Sequence, residues 1–298
     1  MIRPAFSTVA CPTWTLERVT ESAALWGYMG VELRSFGAGA ASFACDPALT
    51  AGQKVRRLFD DAGLEVAGVA SGLRFDQPVF PPVLGHLLPA AQAAVNEGRH
   101  MVEVASAIEA GYLRVFAFDK PRSSRRALYG RIRDRLAKVC DHARNRDVMV
   151  LLENGGGFAS AHDLLDLAAA INSPQLGFSY DVATGAAAGD TPAEAIEQLG
   201  PRLAAVRLRD QRSGTPCILG EGDVPCMQAV RALRASDETW GTDPWVVVTW
   251  DRAWLPELAP ADDVLPASAD IIVKWAGGLG SRHRYEAFQS AAPAMMMG

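Results

Sequence analysis

The chain has 298 residues, 49% of them hydrophobic, and a formal net charge of −5; that is core enough for one large domain or two ordinary ones, and the acidic balance excludes the basic face of a general nucleic-acid binder. No apolar run reaches the roughly 18 residues that cross a bilayer, so no membrane partner is expected, and the opening MIRPAFSTVACPTWTLE lacks the apolar segment of a secretory leader. Five scattered cysteines (Cys11, Cys45, Cys140, Cys217 and Cys226) without C-x-x-C spacing read as reduced thiols of a cytoplasmic protein.

Short β-rich runs alternate with helical patterns along the whole chain. A strand is predicted over Ala5–Ala10, then a helix over 15–26 that opens at Thr15 with Glu17 and Arg18 in its first turn. The next pairs are Gly30–Arg34 with 49–62, Glu65–Ser71 with 87–110, and Tyr112–Phe118 with 123–145. Val148–Glu153 precedes a helix over 160–171, where Ser160 as N-cap and Asp163 three residues on form a variant of the capping box. Leu176–Asp181 leads to 191–199, with Pro192 at a first helical position that suits it. Leu203–Arg209 with 224–235 and Trp245–Trp250 with 261–275 complete the series.

Strands alternating with helices imply βαβ units and a parallel sheet. Continuous apolar runs such as VMVLL and WVVV fit strands covered on both faces. Eight such units in about 275 residues are the size of a single (β/α)8 TIM barrel. The competing doubly wound sheet would advertise a G-x-G-x-x-G after a strand, and the chain has none. No linker or domain boundary interrupts the pattern, so residues 1–280 are expected to form the barrel. Residues 281–298, ending in the Met-rich AMMMG, are expected to be loose or packed on a partner, either a second copy or a paralogue.

Active sites of such barrels lie at the C-terminal strand ends. Charges gather there: Glu32 and Arg34; Arg74 and Asp76 beyond Ser71; Arg114 and Asp119-Lys120; Glu153 and Asn154; Asp181; Arg207, Arg209 and Asp210; Thr249 and Asp251. A polar strand end can also be no more than the place where a chain leaves its core, but so many carboxylates and arginines on one rim imply a ligand site for a small polar molecule. Arg207 offers a planar five-donor fork for a carboxylate or phosphate, or an ion pair with Asp181 or Glu153. The five histidines (His86, His100, His142, His162 and His283) all fall in helices, helix starts or the tail.

Four stretches, "GYMGVELR", "LLENGG", "GFSYDVATG" and "VRLRD" followed by "LGEGDVP", resemble in this order the xylose-isomerase-like barrels of the sugar phosphate isomerase/epimerase superfamily. The closing "TWDRAWLPELAPADDVLP" is similar to a family ending, and the resemblance spans roughly residues 5–275. It implies a divalent ion (Mn, Mg, Co or Zn) on four ligands: a Glu ending strand five, an Asp ending strand six, a His in strand seven and a Glu ending strand eight. Glu153 and Asp181 match the first two, whereas Arg207 and Thr249 stand at the other two. Two lesser histidine positions of the family hold Gly155 and Thr184. Arginine has no lone pair to ligate with, and two carboxylates alone make a poor cage for a hard cation.

The sequence thus leads to an isomerase/epimerase-like enzyme without a cofactor, acting on a small carbonyl compound such as a keto-sugar, with or without an anionic group. Glu153 or Asp181 would be the general base and Arg207 the enolate stabiliser. Glu32, Arg34, Asn154, Arg209, Asp210, Glu221, Thr249 and Asp251 would bind substrate. The outcome could be isomerisation, epimerisation or a lyase-type β-elimination. The alternatives are a catalytically silent barrel that binds a metabolite or serves an assembly, and a metal enzyme with ligands rearranged onto Asp210, Glu221 or Asp251.

Overall fold

The computed structural model describes residues 2–37, 43–77, 92–118, 125–240 and 243–277. Eight parallel strands close a barrel: β1 (Arg3–Ser7), β2 (Gly30–Arg34), β3 (Glu65–Arg74), β4 (Tyr112–Phe116), β5 (Met149–Glu153), β6 (Leu176–Asp181), β7 (Leu203–Leu208) and, after a two-stranded hairpin of β8 (Asp210–Arg212) and β9 (Thr215–Cys217), β10 (Trp245–Val248), which pairs with both β7 and β1. The helices are α1 (Leu16–Leu25), α2 (Gly52–Asp61), α3 (Ala93–Ala107), α4 (Arg125–Ala143), α5 (Ala161–Ile171), α6 (Val182–Ala187), α7 (Pro192–Leu199), α8 (Cys226–Trp240) and α9 (Ala261–Trp275). The single-domain (β/α)8 barrel expected from the sequence is the fold. No described helix is long and apolar enough to cross a membrane.

Local chemistry sets the helix starts. The Thr15 hydroxyl accepts from Arg18 N at the head of α1. The Ser160–Asp163 capping box is complete at α5, and Pro192 occupies the first turn of α7. Four expectations are corrected. The first strand is Arg3–Ser7 rather than Ala5–Ala10, because Thr8–Ala10 turn into a 3-10 helix whose Thr8 Oγ1 accepts from Arg34 N. Strand β3 continues to Arg74. Helix α6 is not signalled by the glycine-containing VATGAA; it forms because the Asp181 carboxylate caps it by accepting from Thr184 N at 2.7 Å. The hairpin β8–β9 is likewise absent from the sequence pattern. The predicted helix start at 87–91, Asp119-Lys120, His86, His283 and the 281–298 tail lie outside the described residues.

Side chains alternate along each strand, so i, i+2 positions face inward and fill the barrel in layers. The lower layer is apolar: Ala5, Ala67, Tyr112, Leu151, Ala205, Trp245 and Val247. Gly68 makes room for the largest of these, since a Cβ there would lie 2.2 Å from the Tyr112 ring. One step up, at every barrel strand but β3, the inward residues become polar: Ser7, Glu32, Arg114, Glu153, Ser179, Arg207 and Thr249, all buried. Val31, Val115, Val150, Leu152, Val206 and Val246, pointing outward, belong to the main core between barrel and helices. The apolar floor excludes water from below, which sets the electrostatics of the ring above it.

Candidate functional site

Arg207 is the centre of this ring, 3% exposed on its side chain. Its Nη1 donates to both Glu32 oxygens at 2.7 and 2.6 Å, its Nη2 to Thr249 Oγ1 at 2.9 Å, and its Nε lies 3.1 Å from Glu153 Oε2. Arg114 Nη1 approaches the same Glu153 oxygen at 3.2 Å, and its Nε lies 3.7 Å from Glu32 Oε2. Tyr112 adds a hydroxyl donor to Glu32 Oε2 at 3.0 Å, and Ser179 one to Glu153 Oε2 at 3.2 Å. Two carboxylates and two guanidiniums therefore form a buried, charge-balanced cluster.

The two glutamates are treated differently by this cluster. Burial alone would raise the Glu32 pKa, but Arg207 and Arg114 overcome it and hold Glu32 at about 2. Burial wins at Glu153, whose pKa is raised despite Arg114 and Arg207, with Asp181 and Glu32 pushing in the same direction. The difference follows the bonds. Glu32 has both oxygens engaged, whereas Glu153 collects its three donors on Oε2, and Oε1 has no hydrogen-bond partner among the described residues. The Arg207 pKa is raised; burial disfavours its charge, and Glu32 and Glu153 more than restore it.

The remaining residues form a second, shallower group. Asp181 pairs with Arg209, whose Nε is 3.0 Å from Oδ2, and not with Arg207 as the sequence allowed. Arg209 is 42% exposed, reaches Asp251 at 3.6 Å and donates to Thr184 Oγ1 at 3.1 Å. Beside it opens a cavity of about 370 Å³ lined by Ala159, Ala183, Thr184, Ala187, Arg209 and Gln211. Asn154 is a clamp between strand ends: Oδ1 accepts from Asp181 N, and Nδ2 donates to Asp181 O and Ala159 O.

Of the expected substrate-binding residues Arg209 lines this cavity, and Asp210 and Glu221 join neither group. Asp210 is buried and spends both oxygens on its own loop, accepting from the backbone N–H groups of Gln211, Gly220, Gly222 and Val224. A deprotonated carboxylate can satisfy several such donors at once, which is why LGEGDVP folds around it. Glu221 is exposed on that loop, where its carbonyl accepts from Arg212. Arg34 stands at the rim between the rings of Phe36 and Trp254. Tyr112 and Ser179 join the cluster although the sequence does not single them out, and Arg114, counted there among the rim charges, takes a role in it that the sequence does not assign. Their signal is the alternation itself, because each sits on the inward face two residues from another inward residue.

A divalent cation does not fit this donor set. The guanidinium of Arg207 occupies the space between Glu32 and Glu153, and Arg209 and Thr184 N take up Asp181. Among the described residues no three His, Cys, Asp or Glu side chains gather as a ligand group.

Comparison with solved structures returns the same barrel. An L-ribulose 3-epimerase shares 15% identity and superposes with a TM-score of 0.74, covering 99% of both chains. A probable 3-DHS dehydratase from Bacillus anthracis shares 16%, with a TM-score of 0.72 over 91% of this chain and 98% of the other. A D-allulose 3-epimerase from Methylomonas sp. in complex with D-allulose shares 17%, with a TM-score of 0.71 over 92% and 96%. At these identities the likeness is one of fold. No curated protein matches the sequence. The family described as xylose isomerase-like TIM barrel matches residues 20–271, more than half of the chain, and the protein belongs to that family.

Proposed function

We propose that the protein is an enzyme that moves a proton on a carbon next to a carbonyl in a small polar substrate, such as a keto-sugar, without a metal ion. The observation that carries this reading is the state of Glu153. A catalytic base needs a pKa near working pH and a free lone pair facing the substrate. Glu153 has a raised pKa, an Oε1 without a partner among the described residues, and a side chain that keeps 8% exposure at the polar end of the barrel. Asp181 is the weaker candidate, since Arg209 and the start of α6 engage both of its oxygens.

Removing a proton beside a carbonyl leaves charge on the carbonyl oxygen, which fixed cationic donors stabilise. The hydrogen bonds of Arg207 already go to Glu32 and Thr249, and its Nε faces Glu153. Arg207 therefore acts mainly by keeping Glu32 ionised and Glu153 oriented, and Arg114 takes over part of the enolate role assigned to Arg207 by sequence. Isomerisation, epimerisation and elimination all begin with this step, and the names of the structural neighbours, epimerases and a dehydratase, are compatible with each.

The test is deuterium exchange from solvent into a panel of ketoses and hydroxyketones, followed by proton NMR. The wild type is expected to exchange at least one of them, on a pH profile whose acidic limb lies above the ordinary glutamate range. Glu153→Gln should lose the exchange by roughly 10²-fold or more. Exchange that survives in Glu153→Gln removes Glu153 from this role. Absence of exchange across the panel, with ligand binding intact, favours the silent metabolite-binding barrel.

A further inference from the structure

Arg34 is a cation without an anion among the described residues. It follows Glu32 by two positions on β2, so its side chain leaves the strand toward the same interior. Phe36 and Trp254 flank it, with ring centroids 5.7 and 5.5 Å from its guanidinium carbon, within the range of cation–π attraction. Gly72 on β3 leaves it space, since a Cβ there would lie 3.0 Å from Nη2. Its guanidinium makes no hydrogen bond or ion pair with any described residue, and Nε is shut away from solvent without an acceptor.

Nearby acids do not remedy this. Glu32 and Glu153 are already held by Arg207 and Arg114 in a charge-balanced cluster, and Arg34 stands beside it as a third guanidinium. Arg114 repeats the deficit, because its Nε is also buried without a hydrogen bond. Burial, and next the charge of Arg114, push the Arg34 pKa down to about 10, which still leaves it charged at neutral pH. A buried charged donor without a partner is costly, and the Arg34 guanidinium is a planar fork that suits an oxyanion.

We infer that Arg34 is the anchor for an oxyanion, a carboxylate or phosphate carried by the substrate, and that the barrel therefore takes an anionic carbonyl compound rather than a neutral sugar. The inference rests on the proposed function for the identity of the ligand as a substrate; the anion site itself can be read by binding alone.

The full-length protein is titrated with inorganic phosphate, with pyruvate and with uncharged fructose, reading tryptophan fluorescence and melting temperature. Trp254 lies against Arg34 and reports occupancy, and Trp254→Phe identifies its share of the signal. Phosphate or pyruvate is expected to bind in preference to fructose, and whichever binds tighter tells phosphate from carboxylate. Arg34→Met should weaken that binding about tenfold or more, as for a lost charged hydrogen bond, and Arg34→Lys by several-fold if the methionine variant does not fold. Arg133→Met, at an exposed arginine on α4, should change nothing. Glu153→Gln should bind the anion as well as wild type or better while losing deuterium exchange, whereas wild-type protein that binds the anion without exchanging any substrate sinks the base and keeps the anchor. No anion binding by wild type, equal binding by both Arg34 variants, or exchange on neutral ketoses that ignores Arg34 overturns the inference.

Discussion

Arg207 on β7 holds Glu32 on β2 across the barrel through a single nitrogen, at 2.7 Å from one carboxylate oxygen and 2.6 Å from the other. Strands β10 and β1 separate the two in the sheet. The pair is therefore a strut across the mouth, with Glu153 and Thr249 attached to it.

Breaking the strut should be expensive. Arg207→Met leaves Glu32 and Glu153 buried with only Arg114 between them, and an uncompensated buried charge costs on the order of 3–5 kcal/mol. The Glu153 pKa should rise further, since Arg207 now lowers it. Urea unfolding of the two proteins measures the loss, and a difference below about 1 kcal/mol would mean that the cluster is solvated like a surface pair.

Glu32 sets a stability limb at low pH. Its folded pKa of about 2 lies below its ordinary 4.5, so the folded state binds fewer protons in that window. The contribution is fully present above about 4.5 and is lost as pH falls toward 2, a change of about 3 kcal/mol. Glu153 acts in the other direction and in another window: its raised pKa costs stability as pH rises above 4.5. Unfolding free energies of wild type and Glu32→Gln between pH 2 and 4.5 should converge as pH falls. Parallel curves would show that Glu32 carries no such shift.

The resemblance to metal-binding barrels gives a reverse test. Arg207→His combined with Thr249→Glu supplies the two ligand types that the chain lacks beside Glu153 and Asp181. Titrated with Mn or Co, this double variant should melt higher as metal is added, and the parent should not. A rise in neither protein would mean that strands β7 and β10 do not occupy the places the resemblance gives them.

The placement of these groups is legible in the amino-acid sequence. Alternation alone puts Glu32, Glu153, Asp181 and Arg207 at one end of a barrel, because inward positions recur every second residue. Partners are less legible. The sequence pairs Arg207 with Asp181 or Glu153: Glu153 is a partner, at 3.1 Å, whereas Asp181, its register partner on β6, goes to Arg209, and the closed barrel adds Glu32 from 175 residues away. Arg114 is counted among the rim charges, but it lies inside its strand and the sequence gives it no role in the cluster. Asp210 has the look of a ligand, yet its own loop uses its oxygens, and a count of backbone N–H groups in a glycine-containing loop cannot be made from letters. Arg34 reads as a site residue, while its lack of an acceptor depends on where Phe36, Gly72 and Trp254 fall.

Central to the proposed function is proton transfer at Glu153, with Arg207 standing where the resemblance places a metal ligand. Solvent deuterium exchange by protein treated with a chelator and checked for Mn, Co, Zn and Mg by elemental analysis tests it most directly. The expected result is exchange at the untreated rate with metal far below one ion per chain. Exchange that disappears on chelation and returns with stoichiometric Mn or Co would contradict it.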